Sequence, residues 1–136
     1  MKGELKMLDK VEYWLGLCED DMKAAKSLLE SKDFLWMGFI CHLIAEKALK
    51  AAVANVTSEI PPKTHDLTRL AECSGIFDEL SENQLELLET LNPLNIETRY
   101  PEHKDRISAL MTEQKSTDIL NKTEEFLCWI KQKLEK

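Results

Sequence analysis

The sequence predicts an all-α fold, an up-and-down bundle of four to five helices, and three observations carry that prediction. Apolar residues recur at spacings of three and four over long stretches. With only four Gly and four Pro in 136 residues, there is little material for turns. Strong helix formers dominate over aromatic and β-branched residues, which favours helix over strand. At 43% hydrophobic and 32% charged, the composition is globular, and the length suits a single domain spanning 1–136 with its core over about 10–135.

The first helix is expected from about Asp9 to Ser31. Trp14, Leu17, Cys18, Met22, Ala25, Leu28 and Leu29 form one stripe. Asp33 then reads as the N-cap of a second helix, from Phe34 to about Val56. Between Phe34 and Val53 that helix is apolar or small almost everywhere except at His42, Glu46, Lys47 and Lys50. A helix so uniformly apolar is a central one, packed on several sides. Its polar residues form one narrow stripe, which is either an exposed edge with an ordinary Glu46–Lys50 pair or the lining of a polar groove.

Pro61 and Pro62 impose an extended approach to a short helix over Asp66–Cys73, with Thr64 as its N-cap and Ser74-Gly75 as its stop. Ser81 and Gln84 have the spacing of a capping box, opening a helix through Leu85, Leu88 and Leu91 that Asn92-Pro93 closes. The segment Leu94–Lys104 reads as irregular. The last helix spans roughly Thr117–Leu134, with Ile119, Leu120, Phe126, Leu127, Ile130 and Leu134 inward. The first, second and last helices are the longest.

The net charge of −7 has a local origin. Seven acids and no base lie between Arg69 and Arg99, while the other eighteen acids balance the chain's eighteen bases. This stretch reads as a solvated surface, and it disfavours nucleic-acid binding, DNA included, through that face. The charged N-terminus MKGELKMLDK lacks a signal-peptide core, and the longest apolar run, Phe34–Cys41, is too short for a bilayer. A cytoplasmic location is expected, with no membrane association. Four scattered cysteines without a CxxC pair argue against zinc or redox chemistry and suggest reduced, mostly buried thiols. Trp14, Trp36 and Trp129 are expected in the core or at a dimer interface.

Three motifs go beyond generic helix. The second helix carries Ala45-Glu46-Lys47-Ala48-Leu49-Lys50-Ala51, the loop carries Pro62-Lys63-Thr64-His65-Asp66-Leu67, and later comes Thr98-Arg99-Tyr100-Pro101-Glu102. In this order the chain resembles the HEPN family (higher eukaryotes and prokaryotes nucleotide-binding) of the small stand-alone prokaryotic type. The resemblance implies a helical bundle, commonly a homodimer, associated with nucleotide or RNA. Many such members partner a separate minimal nucleotidyltransferase, some pairs acting as toxin and antitoxin. Toxic members are metal-independent endoribonucleases that use an arginine followed, after four to six residues, by a histidine.

Here Arg99 is followed by His103 after only three residues, and neither Arg69 nor Arg106 has a histidine at the family's distance. RNA cleavage needs a proton acceptor near neutral pH and a cation for the charge building on phosphate, residue types that His103 and Arg99 supply. Pro101 starts any new helix at or after itself, which puts His103 in a first turn whose positive end favours the neutral imidazole. The other reading is that Arg99 ties the loop to an acid, Tyr100 packs beneath it and His103 is surface. Lys63, preceding a helix N-terminus, is a candidate phosphate contact, joined by Lys47, Lys50, His65 and Tyr100. His65 suits a structural role better than a catalytic one, its ring bonding across the loop.

No metal site, cofactor motif, glycine-rich phosphate loop or nucleotidyltransferase signature is present in the sequence. Two functions follow. One is a non-catalytic nucleotide- or RNA-associated module that dimerises and partners a minimal nucleotidyltransferase. The other is an endoribonuclease toxin with a variant Arg-x3-His motif.

Overall fold

The computed structural model describes residues 2–97 and 101–135, with side chains at all of these except 2–8, 96–97, 101–104 and 107. The described residues form α1 (Lys2–Glu30), α2 (Phe34–Val56), α3 (Leu67–Ser74), α4 (Glu82–Glu97), α5 (Pro101–Leu110) and α6 (Glu113–Leu134), with a 3-10 turn at Phe77–Glu79 and no strand. Four long helices make the bundle, and α3 and α5 are short accessories to it.

The fold is organised around α2, which packs against each of the other five α-helices. The reason is compositional: Met37, Cys41, Ile44, Ala45, Ala48 and Leu49 are fully buried on it. Cys18, Met22 and Ala25 of α1, Leu67 and Leu70 of α3, Leu88 and Leu91 of α4, and Phe126 and Ile130 of α6 close over that rod in one continuous core. Burying a side chain as large as Phe126 contributes about 2–3 kcal/mol. At Gly38 an added Cβ would lie 3.0 Å from Met111 Cε and 3.1 Å from Leu94 Cδ1. The small residue therefore lets α4 and the segment leading into α6 approach α2 closely.

The expected turn between α1 and α2 is present and Asp33 occupies the N-cap of α2, but its carboxylate makes no cap bond and accepts from the Ser31 hydroxyl instead. The connection is stabilised at the end of α1. Asp33 N–H donates to Leu28 O and Lys32 N–H to Leu29 O, with Lys32 at φ 63°. This is a Schellman motif whose left-handed position holds lysine rather than glycine.

Helix bounds differ from expectation at several ends. Helix α1 begins at Lys2, and α3 begins one residue later than expected, because Asp66 is the N-cap and accepts from Thr68 N–H. Thr64 instead accepts from Asp66 N–H, one step upstream. Gly75 ends α3 at φ 81°, as the sequence predicts. The Ser81–Gln84 capping box forms with both reciprocal bonds. Helix α4, however, continues through Pro93 to Glu97. Leu94 and Asn95 beyond the proline are buried, and Leu94 reaches the Gly38 contact, so packing offsets the bond that proline cannot make. Of the segment expected to be irregular, Leu94–Glu97 and Pro101–Lys104 are helical. Thr112 caps α6 by accepting from Lys115 N–H, which starts that helix four residues earlier than expected.

Exposure corrects one further expectation. Cys18 and Cys41 are buried, but Cys73 and Cys128 are exposed. Trp14 and Trp129 pack against core clusters as expected, and Trp36, 47% exposed, lies outside the core. The acids Glu72, Asp78, Glu79, Glu82, Glu86 and Glu89 do form a solvated surface. Among the described residues, no helix is long and apolar enough to cross a membrane.

Candidate functional site

The polar stripe of α2 is not an exposed edge. His42 is fully buried and Glu46 is 4% exposed, because the loop preceding α3 folds over them. The stripe becomes the centre of a hydrogen-bonded network linking α1, α2, the loop and α3.

Glu46 is the hub. Its Oε1 accepts from His65 Nδ1 at 2.8 Å, and its Oε2 accepts from Lys50 Nζ at 2.9 Å. Burial pushes the carboxyl up, but the hydrogen bonds from His65 and Lys50, together with their charges, outweigh it and hold the group below its ordinary value. Glu46 is therefore a carboxylate, which makes His65 Nδ1 the protonated donor. His42 Nε2 lies 3.0 Å from the backbone oxygen of His65. A carbonyl can only accept, so His42 carries a proton on Nε2, while its Nδ1 lies 3.8 Å from Glu46 Oε1. His65 is thus pinned to α2 twice, by its ring and by its main chain. With Nδ1 committed, Nε2 is the remaining nitrogen of a ring whose side chain is 56% exposed.

The network extends in both directions. Lys50 Nζ sits 5.4 Å from the Trp14 ring centroid, a cation–π contact that joins α1 to the hub. Lys47 turns the other way and pairs with Asp21 of α1 at 2.6 Å. Lys10 of α1 donates to Ser58 O at 3.0 Å and holds the start of the loop. Beyond His65, Asn92 of α4 accepts from Leu67 N–H and donates to Asp66 Oδ1. The sequence marks Asn92 only as a helix stop, and its bridging role has no local signal.

These contacts sort the expected site residues. Lys47 and Lys50 are engaged with carboxylates, so they do not offer free charge to a groove. The His65 ring bonds to α2 rather than across its own loop. Lys63 is exposed but does not face the open helix terminus inferred for it, because Asp66 and Asn92 occupy the first amides of α3. Arg99 and Tyr100 lie outside the described residues, as does the side chain of His103. The backbone at 103 is the third residue of α5, which begins at Pro101 as the sequence reading requires. No group of three or more His, Cys, Asp or Glu able to hold a metal ion occurs among the described residues.

The family model of the HEPN domain matches residues 11–134. Among solved structures, TT1696 from Thermus thermophilus superposes with a TM-score of 0.76 at 20% identity, covering 91% of this chain and 98% of that one. ST0689, described as an archaeal HEPN homologue, superposes with a TM-score of 0.64 at 19% identity, covering 92% and 98%. No curated protein matches significantly. At these identities the superpositions establish the fold alone. The match over nearly the whole chain, on the bundle just described, makes this protein a member of the HEPN domain family.

Proposed function

We propose that this chain is a non-catalytic, nucleotide- or RNA-associated binding module that dimerises and partners a minimal nucleotidyltransferase in the cytoplasm. One observation supports this reading most directly. His42, Glu46, Lys47 and Lys50, the polar residues of the central helix, are committed to fixed intramolecular pairs. Such a network makes a rigid scaffold rather than a reactive groove. The test is co-expression with a minimal nucleotidyltransferase, followed by affinity capture and titration of the purified chain with ATP. Co-purification with the nucleotidyltransferase, or saturable ATP binding, is expected; failure of both would sink the reading.

A second reading, a metal-independent endoribonuclease toxin, draws support from the start of α5 at Pro101. This puts His103 in the first turn, where the helix end favours its neutral, base-competent form. Expression of the chain alone would then arrest growth, and Arg99→Ala or His103→Ala would relieve the arrest. A harmless wild-type protein that leaves RNA intact removes this alternative.

A further inference from the structure

We infer that the open face of α2, built on Trp36, Ile40 and Leu43, is the surface on which a second copy of this chain docks, the two α2 helices lying antiparallel about a two-fold axis at Ile40. The inference rests on the reading of the chain as a dimerising module and locates the interface on it.

The first argument is an apolar face that the bundle leaves uncovered. Helix α2 packs against every other α-helix, yet one side of it stays open. Trp36 is 47% exposed, and Phe39, Ile40 and Leu43 are only half-buried. The Trp36 and Phe39 rings meet edge to face with centroids 6.1 Å apart, so they form one ridge. Asp33, Trp36, Ile40, Leu43 and Lys47 follow one another at spacings of three, four, three and four. That alternation is the one by which two helices interlock along a seam. Leu17 of α1, half-buried, widens the face at its far end, because Trp14 on one side of it lies against Lys50 and Asp21 on the other against Lys47. A contiguous apolar patch on a protein surface marks an interaction site.

The second argument is charge, and it selects a second copy as the occupant. The chain carries a net charge of −7, yet residues 1–56 hold nine acids against eight bases, so the excess acid lies outside α1 and α2. Two copies that meet through these helices therefore do so with little repulsion. The seam is also self-complementary. Its start carries the exposed acid Asp33, and its end carries Lys47. An antiparallel pair sets Asp33 of one copy opposite Lys47 of the other, twice over, because a two-fold interface repeats every contact. Lys47 already donates to Asp21 at 2.6 Å, but its side chain is 22% exposed and an ammonium has three donors, so a second carboxylate is within its capacity. The same arrangement stacks Ile40 on Ile40 and sets Trp36 beside Leu43. A parallel pair would place acid against acid at one end and lysine against lysine at the other.

The test is sedimentation velocity of the full chain across a concentration series, read against 15.7 kDa for one copy. Wild type is expected to sediment as a dimer. Trp36→Ala/Leu43→Ala is expected to weaken that dimer at least tenfold while the helical circular-dichroism spectrum stays unchanged. Asp33→Lys, at an exposed position that leaves the core untouched, is expected to weaken it severalfold. Val56→Ala/Ile60→Ala, which trims side chains 57% and 82% exposed at and beyond the other end of α2, leaves it within twofold. Orientation is read from single cysteines in a Cys73→Ser/Cys128→Ser background. A short bismaleimide should join two copies at Ile40→Cys but not at Asp33→Cys, since the two Asp33 positions lie about 21 Å apart along antiparallel helices. A dimer indifferent to Trp36→Ala/Leu43→Ala, or lost instead on trimming Val56 and Ile60, overturns this interface and leaves the dimerising reading intact. Efficient cross-linking at Asp33→Cys overturns the antiparallel arrangement. A monomeric wild type overturns the interface and the dimerising reading together; if Trp36→Ala/Leu43→Ala then also abolishes capture of a minimal nucleotidyltransferase, the face belongs to that partner instead.

Discussion

Replacing Glu46 with alanine is the most informative single perturbation of this fold. The carboxylate is 4% exposed and accepts two hydrogen bonds from groups that carry or can carry positive charge. Hydrogen bonds to charged groups are each worth about 1.5–3 kcal/mol, a gross loss of about 3–6 kcal/mol. Part of that is recovered because the variant no longer desolvates a carboxylate. Lys50 also keeps its ammonium over the Trp14 ring, so it is not stranded. A net loss of about 3 kcal/mol is expected, a large share of the roughly 5–15 kcal/mol typical of a domain. Urea unfolding followed by circular dichroism at pH 7 measures it. The pH dependence supplies an independent check. The folded-state value of Glu46 lies below the ordinary carboxyl value of 4.5, so its contribution is complete above that value. It is lost as pH falls through the lower folded value, because protonation then favours the unfolded chain. The gap between wild type and variant should therefore stay constant from neutral pH down to about 5 and narrow below about 4. A loss under about 1 kcal/mol, or a gap that fails to narrow in acid, would refute the assignment of Glu46 as an ionised hub.

Lys32→Gly should raise stability by up to about 1 kcal/mol, since the residue holds a left-handed conformation that glycine adopts without strain; a lower urea midpoint would contradict the Schellman reading. Gly38→Ala should change stability by less than about 1 kcal/mol, because the flexible ends of Met111 and Leu94 can yield, while Gly38→Leu should cost about 2–3 kcal/mol by overpacking. Urea midpoints of the two variants compare them directly. In the native protein at pH 8, a thiol reagent should label Cys73 and Cys128 quickly. Cys18 and Cys41, whose thiols burial pushes up to about 12, should react only on unfolding; four fast thiols would show that the core is open. Asp66→Ala should cost about 1–2 kcal/mol, as it removes both the α3 cap and the link to Asn92, and a thermal melt unchanged from wild type would argue against that cap.

The elements that were legible in the sequence are those governed by local physics. The apolar periodicity of α1, α2 and α6 reports burial directly, since a helix face repeats every three to four residues. The capping box at Ser81 and Gln84 and the glycine stop at Gly75 depend only on neighbours within one turn, and both occur as read. The central position of α2 follows from its composition alone. Three motifs in order also pointed to the family that the chain belongs to.

What failed to show in the sequence depended on partners distant along the chain. Pro93 reads as a helix end, yet α4 passes through it because Leu94 beyond it packs against the space left at Gly38, far earlier in the chain. Asp33 has the residue type of a cap, but Ser31 and the end of α1 decide how the turn closes. The stripe of His42, Glu46 and Lys50 was visible by spacing, though spacing cannot tell an exposed edge from a covered one. Only the loop carrying His65, folded back onto α2, buries that stripe and turns an ordinary helix pair into the hub of a network. The sequence by itself determined the long helices, the central place of α2 and the family. Tertiary structure decided which charges are spent inside the fold and which face water, because charge pairing depends on distances that the chain sets only by folding.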